Sequence, residues 1–333
     1  MKHLFGPVNS RRLGRSQGID LLPPKTCNFN CIYCEINKAP QLSCDRGEHV
    51  PTGTILEEID RLLEDTARVR DLDVFTITAS GEPTLHSGIG RVIRHIKEKT
   101  DKPVAILTNG SQLYLEEVRQ DLMAADIVIP SLDSARPESF RRVNRPAKCT
   151  PGLETIIRGI ADFSREFTGQ IWLEILLVEN VNDSAEDIAA LKEAIKRIMP
   201  TRVQLNTVAR PPYESFAHPL SDARMLAIKE EIAKNYEGPV DILAGGGIGS
   251  RSEAGKGREG TGTPESSIKN EEAIMEMLCR RPGTVADIAA ALNLKPARAA
   301  DILADMEKKG SLAVAVHGGK KYFRPPADAK RKI

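Results

Sequence analysis

The stretch IWLEILLVENVNDSAEDIAALKEAIKRIMPTRVQLNTV, residues 171–208, contains a strand–helix–strand unit. Its first eight residues form an apolar run of the kind that a strand buried on both faces needs. Residues 185–198 then place apolar side chains at helical spacing, and residues 202–208 return to a strand pattern. Because a helix between two strands is typical of a parallel crossover, this stretch predicts an α/β fold.

The same alternation extends over residues 17–244. Further strands are predicted at 18–23, 74–79, 103–108 and 126–133, and further helices at 55–69, 89–99 and 152–167. Six strands alternating with helices predict a parallel sheet, either a partial barrel or an open doubly wound sheet. In both architectures, functional residues gather at the carboxyl ends of the strands.

The bulk composition excludes some classes of function. The chain has 333 residues, 41% of them hydrophobic, and a formal net charge of +1, which argues against capture of nucleic acid by the charge of the whole protein. No signal peptide or long apolar run is visible, so we expect a cytoplasmic protein with no membrane contact. In that compartment the six cysteines are expected to serve metal binding or catalysis before disulfides.

Residues 25–35, KTCNFNCIYCE, place Cys27, Cys31 and Cys34 at CxxxCxxC spacing. A structural zinc site needs four ligands, usually from two separate pairs, and only Cys44 is a nearby fourth candidate. Three thiolates leave one metal position open, which suits catalysis, and thiolates also hold iron–sulfur clusters. For Cys44 and Cys149 the alternatives are extra ligands, substrate-side thiols or small buried apolar residues.

This motif, with Tyr33 before the last cysteine, resembles the signature of the radical S-adenosylmethionine (SAM) enzymes. The resemblance implies a full or partial (β/α) barrel and a 4Fe–4S cluster on the three cysteines, with SAM chelated at the free iron. It also implies a flavodoxin- or ferredoxin-type electron donor and cleavage of SAM to a 5′-deoxyadenosyl radical, which abstracts hydrogen from a substrate. We therefore predict a radical SAM enzyme with a partial (β/α)6 barrel of the TIM type.

Polar motifs after successive strands complete the predicted site. Ser80, Gly81 and Glu82 resemble the family's GGEP element, which implies that they receive the methionine ammonium group. The alternatives are an ordinary turn for Asn109, in Asn-Gly, and a helix cap for Asp133. The predicted catalytic residues are Glu174, a carboxylate within an apolar strand, and Asp133. The predicted cofactor-binding residues are Tyr33, Ser80, Gly81, Glu82, Asn109, Ser131 and Thr207, and the predicted metal ligands are Cys27, Cys31 and Cys34.

Two stretches point to a branch of the superfamily. Residues 5–35 and 138–146 resemble an uncharacterised group near the tRNA wyosine-base synthases, and ESFRRVNRP (138–146) also resembles the enzymes that install glycyl radicals. The wyosine synthases carry cysteines upstream of the main motif, whereas no cysteine precedes Cys27 here. The predicted substrate is a tRNA or a protein. One of Arg11, Arg12 and Arg15 is predicted to line the cavity and meet an anionic group.

The remaining sequence divides into a linker and a small domain. Residues 1–244 are predicted to form the barrel. Residues 245–267 are rich in Gly and Ser and predict a flexible linker. Residues 268–333 predict three helices and a hairpin turning at Gly318-Gly319, which resemble a winged helix-turn-helix module. Its net charge is +5, but carboxylates in the third helix disfavour base reading, so we expect it to recruit an RNA or protein substrate. The contrasting hypothesis is an iron–sulfur regulator that binds nucleic acid.

Overall fold

The computed structural model describes residues 2–10, 12–23, 25–36, 42–78, 80–243, 264–292 and 294–326. Within them, eight strands form one sheet in which each strand pairs with the next in the chain. The first pair is antiparallel and all later pairs are parallel. The strands are β1 Leu4–Ser10, β2 Gly14–Ile19, β3 Val74–Ile77, β4 Val104–Thr108, β5 Ile127–Pro130, β6 Gln170–Leu177, β7 Arg202–Thr207 and β8 Val240–Ile242. Because this order never reverses, the sheet is not doubly wound.

Helices connect the parallel strands. They are α1 Thr52–Leu63, α2 Thr66–Arg70, α3 Ile89–Lys99, α4 Glu116–Leu122, α5 Pro137–Val143, α6 Leu153–Glu166, α7 Ala185–Ile198 and α8 Asp222–Ala233. The single helix predicted over 55–69 is two helices, because Asp65 caps α2 by accepting a hydrogen bond from Arg68 N at 3.1 Å. Ser184 and Asp187 form a capping box that starts α7.

The first predicted strand is displaced in the structure. Pairing covers residues 14–19, not 18–23, and Leu21 and Leu22 are buried beyond the end of the ladder. The sequence did not predict this strand because β2 contains polar residues. Ser16 can nevertheless be buried in the sheet, since its hydroxyl forms a hydrogen bond of 2.6 Å with that of Thr76. Two strands were missed altogether, β1 with its Gly-Pro irregularity and the three-residue β8.

One hydrophobic core lies between the sheet and its helices. Residues that are fully buried in it include Phe75, Ile77, Ile93 and Ile106. Burial of one such side chain contributes roughly 1.5–3 kcal/mol before the entropic cost of folding is subtracted. Phe29, next to the first cysteine, belongs to the same core, so the cysteine segment is anchored in the main body of the protein.

The C-terminal unit, defined here as residues 264–326 apart from residue 293, has its own core. It contains α9 Pro264–Arg280, α10 Val285–Leu292, α11 Pro296–Lys308 and the antiparallel strands β9 Ala313–His317 and β10 Lys320–Arg324. Gly318 and Gly319 form the turn with positive φ, as predicted. Of the linker predicted over 245–267, residues 245–263 lie outside the described residues, and residues 264–267 begin α9. In the described part of the chain, every helix is too short or too polar to cross a membrane.

Candidate functional site

A cavity of about 760 Å³ lies at the carboxyl ends of the strands. Residues of β2, β3, β4, β6 and β7 all line it, so the sheet curves around it. The cavity brings together ten of the predicted site residues: Tyr33, Ser80, Gly81, Glu82, Asn109, Ser131 and Thr207 with the three cysteines Cys27, Cys31 and Cys34. A volume of this size is in the range for one small organic ligand or cofactor.

The cluster loop, defined as residues 25–36, is joined by its backbone to the end of β3. Lys25 N donates to Ser80 O at 2.5 Å, and Glu82 N donates to Thr26 O at 2.9 Å. Between these two bonds, a Cβ atom on Gly81 would lie 1.9 Å from Thr26 O. Glycine is therefore required at position 81 because the two backbones touch there.

Glu82 lies deep in the site, with 1% of its surface exposed. Its Oε1 accepts hydrogen bonds from Thr84 N at 3.0 Å, Thr84 Oγ1 at 2.6 Å and Thr108 Oγ1 at 2.6 Å. Its Oε2 accepts from Asn109 N at 2.6 Å. Burial raises the pKa of Glu82, and these hydrogen bonds oppose that shift. The carboxylate thus ties β3 to β4 at the edge of the cavity.

Asn109 connects β4 to the cluster loop. Its Nδ2 donates to Asn28 Oδ1 at 2.8 Å and lies 3.9 Å from Cys27 Sγ. Asn28 Nδ2 in turn donates to Ser111 Oγ at 2.7 Å. Asn109 therefore lies in an Asn-Gly turn and also places its side chain beside the thiol of Cys27.

The other side of the cluster loop is held by the end of α5 and the residues after it. Ile32 N donates to Val143 O at 3.0 Å, and Asn30 N donates to Asn144 O at 3.0 Å. Asn144 Nδ2 lies 3.5 Å from Cys31 Sγ. These residues belong to ESFRRVNRP (138–146), so that motif serves the cluster loop in this structure.

Asp133 lies beneath this contact, fully enclosed. Its carboxylate accepts hydrogen bonds from Tyr33 Oη at 2.5 Å, Asn144 Nδ2 at 2.6 Å and Leu176 N at 2.9 Å. Burial raises the pKa of Asp133 to about 6, and the hydrogen bonds oppose the shift. The structure therefore places this predicted catalytic residue behind Tyr33, outside the set of residues that line the cavity.

The three thiols have the chemistry that an iron–sulfur cluster needs. They are not in disulfides, and amide groups point at two of the sulfur atoms, those of Phe29 and Asn109 at Cys27 and that of Asn144 at Cys31, as is typical of iron-bound thiolates. Burial raises the pKa of all three, that of Cys27 to about 12, so iron binding would displace their protons. Within the described residues, no three Cys, His, Asp or Glu side chains converge on one point as a single-ion site requires. In a cluster each thiolate binds a different iron, so the three residues fit this group.

The predicted residues on β5, β6 and β7 have different surroundings. Glu174 is paired with Arg12 at 2.9 Å and accepts from Asn206 Nδ2 at 3.3 Å, and both partners line the cavity. Thr207 Oγ1 donates to Leu177 O at 2.7 Å and accepts from Leu220 N at 2.9 Å, so its hydroxyl fixes the following loop. Ser131 lines the cavity directly.

Of the three arginines considered, Arg12 lines the cavity and Arg15 is exposed, while Arg11 lies outside the described residues.

Cys44 and Cys149 form a disulfide, with 6.0 Å between their Cα atoms. The expectation that the thiols serve metals before disulfides is wrong for this pair. The two residues meet because both of their segments pair with the cluster loop: Ser43 N donates to Cys27 O at 3.2 Å, and Ala147 N donates to Asn28 O at 2.8 Å. No local pattern marks this proximity, since 105 residues separate them.

The sequence analysis missed a second group of cavity residues, which come from the C-terminal unit and the loop after β7. They are Arg210, Ala273, Glu276, Met277, Arg280, Arg281, Asp287, Ala291 and Leu292. Arg210 reaches the cluster loop, with its Nη1 3.2 Å from Glu35 Oε1. Their spacing in the sequence carries no motif, because their approach depends on how the unit docks.

Comparison with known proteins identifies the superfamily. Residues 21–191 match the family model described as the radical SAM superfamily. The chain belongs to the radical SAM superfamily. The matched segment covers the cluster loop, Ser80–Glu82, Asn109 and Asp133. The chain is thus a radical SAM enzyme, and membership implies SAM and an iron–sulfur cluster as its cofactors.

Two curated proteins are similar to this chain over most of its length. A UPF0026 protein from Helicobacter pylori (strain J99) is 41% identical over 228 residues, 67% of this chain and 71% of the relative. A protein named GTPase Obg from Brachyspira hyodysenteriae is 35% identical over 318 residues, 96% of this chain. The chain spans only 44% of that relative's length, and it contains no GxxxxGK[ST] phosphate-binding motif.

The fold also has solved counterparts. The crystal structure of a radical SAM methyltransferase from Sphaerobacter thermophilus matches with a TM-score of 0.54 at 15% identity, over 68% of this chain and 66% of that one. At this identity the match shows the fold alone.

Proposed function

We propose that this enzyme reductively cleaves SAM at a 4Fe–4S cluster held by Cys27, Cys31 and Cys34, and that the resulting 5′-deoxyadenosyl radical abstracts hydrogen from a substrate. The observation that carries the proposal is the meeting of the three thiols with Ser80, Gly81 and Glu82 in one cavity. When bound, the cluster supplies the single electron that SAM cleavage needs, and a flavodoxin- or ferredoxin-type protein is the proposed donor.

The residues of the chain would bind and orient SAM. Glu82 Oε2 accepts one described hydrogen bond, from Asn109 N, which leaves it a lone pair for the methionine ammonium. Asn109 and Ser131 line the cavity between the cluster loop and β5, where they are placed to contact the ribose or the carboxylate. The Arg12–Glu174 pair lies on the β6 side, where it would face the substrate.

The finer architecture belongs to the same proposal. Strands β2 to β7 correspond to the six strands of a partial (β/α)6 barrel, extended by β1 and β8. Three helices followed by a hairpin support a winged-helix description of the C-terminal unit. On α11, Asp301 and Asp305 are exposed beside Arg298, which disfavours base reading and with it the regulator hypothesis. The kinship with wyosine synthases or glycyl-radical activases rests on the sequence resemblance.

The test is release of 5′-deoxyadenosine. Protein reconstituted with iron and sulfide without oxygen, then reduced and mixed with SAM, should release it slowly even without substrate. The Cys27→Ala/Cys31→Ala/Cys34→Ala variant should stay folded, because the main core does not depend on metal, and should release none. Equal release by both proteins, or by neither, would contradict the proposal.

A further inference from the structure

The C-terminal unit occupies one side of the active-site cavity. Its residues Ala273, Glu276, Met277, Arg280, Asp287 and Leu292 line the same cavity as the three cluster thiols. These side chains belong to α9 and α10. The sheet supplies the other walls, so the cavity takes its shape only with the unit in place.

The unit is anchored at two places, beside β1 and at the loop after β7. On the β1 side, Arg280 Nη2 donates to Lys2 O at 2.9 Å, and its guanidinium lies 4.9 Å from the centre of the Phe5 ring. Helix α10 packs against β1, which covers the edge strand of the sheet.

On the β7 side, the hairpin of the unit contacts the loop that follows the strand. His317 Nε2 lies 2.7 Å from Val208 O, and Tyr322 Oη donates to Ala209 O at 3.1 Å. Val208 and Ala209 themselves line the cavity. These two anchors, one beside β1 and one at the loop after β7, hold the unit against the cavity.

Charges of both signs alternate across this junction. Arg210 pairs with Glu35 of the cluster loop and interacts with Asp287 of α10, while Arg280 interacts with Asp20 at the end of β2 and with Glu276. The apolar residues Met277 and Leu292 lie between them. Such a surface suits a molecule that carries polar or charged groups on a small apolar frame.

We propose that the α9–α10 surface of the C-terminal unit is the substrate-facing wall of the cavity, and that the enzyme therefore acts on a polar molecule of metabolite size. The inference rests on the proposed function for its chemistry. SAM and the cluster would fill part of the 760 Å³, and the rest is too small for a folded RNA or protein segment while the unit is docked. The substrate would touch the cluster loop on one side and α9 or α10 on the other.

The first test measures access to the cluster thiols in apoprotein, which needs neither SAM nor activity. A small alkylating agent, iodoacetamide, should modify Cys27, Cys31 and Cys34 slowly, because the raised pKa keeps most of each thiol protonated. A maleimide that carries a polyethylene glycol chain should be excluded. In His317→Ala/Tyr322→Phe, two lost hydrogen bonds should raise the undocked population, and with it the rate for the bulky reagent, roughly tenfold. Lys320→Ala, exposed at the same hairpin turn, is the matched control and should behave as wild type.

Mass spectrometry of the modified peptides separates these cysteines from Cys279. If the bulky reagent reacts equally with the cluster thiols of wild type and of the double variant, the unit does not form a wall of the cavity, provided that circular dichroism shows both proteins folded.

The second test identifies the substrate class. Reconstituted, reduced enzyme with SAM is mixed with either the small-molecule fraction or the RNA fraction of a cell extract, and 5′-deoxyadenosine is followed. We expect the small-molecule fraction to stimulate release and the double variant to lose that stimulation. Stimulation by RNA alone would overturn the substrate class. Failure to release 5′-deoxyadenosine under any condition would instead overturn the proposed function. The alkylation result would still show whether the C-terminal unit forms a wall of the cavity.

Discussion

The cluster loop and the C-terminal unit face each other across one cavity, but they are joined to the protein in different ways. The loop shares the main core through Phe29 and is hydrogen-bonded to β3, β4 and the end of α5. The unit has a separate core and contacts the rest of the protein beside β1 and at the loop after β7. The loop cannot move without disturbing the main core, whereas the unit can move as a body.

The largest effect is expected from weakening the core of the unit alone. Leu303 is fully buried there, and Leu303→Ala should lower the free energy of unfolding of the unit by about 2–5 kcal/mol. Hydrogen exchange should show faster exchange in α9, α10 and α11, with the amides of the cluster loop still protected. The exposed neighbour Ala304, changed to Ser, should alter little. Loss of protection in both regions together would show that they unfold as one.

A pH-dependent effect is expected behind the cluster loop. Burial raises the pKa of Asp133 to about 6, above the value of about 3.9 in an unfolded chain, so the folded state binds this proton more tightly. Its contribution to stability is therefore present at pH 4 and is lost as the pH rises to 6, by up to about 3 kcal/mol. Asp133→Asn should remove this dependence.

The measurement is denaturant unfolding of apoprotein at several pH values. The wild type should gain stability relative to the variant as the pH falls from 7 to 4. A difference between the two proteins that does not change with pH would mean that Asp133 stays ionised.

A smaller effect should follow from adding one methyl group beside the loop. In Gly81→Ala the new Cβ would meet Thr26 O, so either β3 or the loop must shift, at a cost of about 1–3 kcal/mol. Iron bound after reconstitution should fall along with stability. Gly53→Ala in α1 is the control, because nothing lies within 4 Å of its added Cβ, and it should be neutral or stabilising. Equal behaviour of the two variants would contradict the close contact.

These two regions also differ in how far the sequence predicts them. The cluster loop is marked by Cys27, Cys31 and Cys34 and by the motifs at the next strand ends, because parallel strands bring their carboxyl ends to one edge. The helices and hairpin of the unit are likewise marked by periodicity and by Gly318-Gly319. The docked position of the unit is not marked in the sequence, because several of the hydrogen bonds that hold the unit are accepted by backbone carbonyls, which every residue has.

Polar residues within strands misled the prediction in a different way. The hydrogen bond between Ser16 and Thr76 satisfies both hydroxyls inside the sheet, so a polar stretch forms a buried strand. Asp133 shows the same effect at the site: its buried carboxylate accepts hydrogen bonds from Tyr33 of the cluster loop, from Asn144 and from Leu176 N. Such contacts depend on partners that lie 11 to 100 residues away in the sequence.

The electron paramagnetic resonance spectrum of the reduced, reconstituted protein tests the central claim most directly. If Cys27, Cys31 and Cys34 hold a cluster with one open iron, the protein should contain about four irons per chain, and SAM should change the spectrum. The variant with all three cysteines changed to Ala should show no such signal. A wild-type spectrum that is identical with and without SAM would contradict the account.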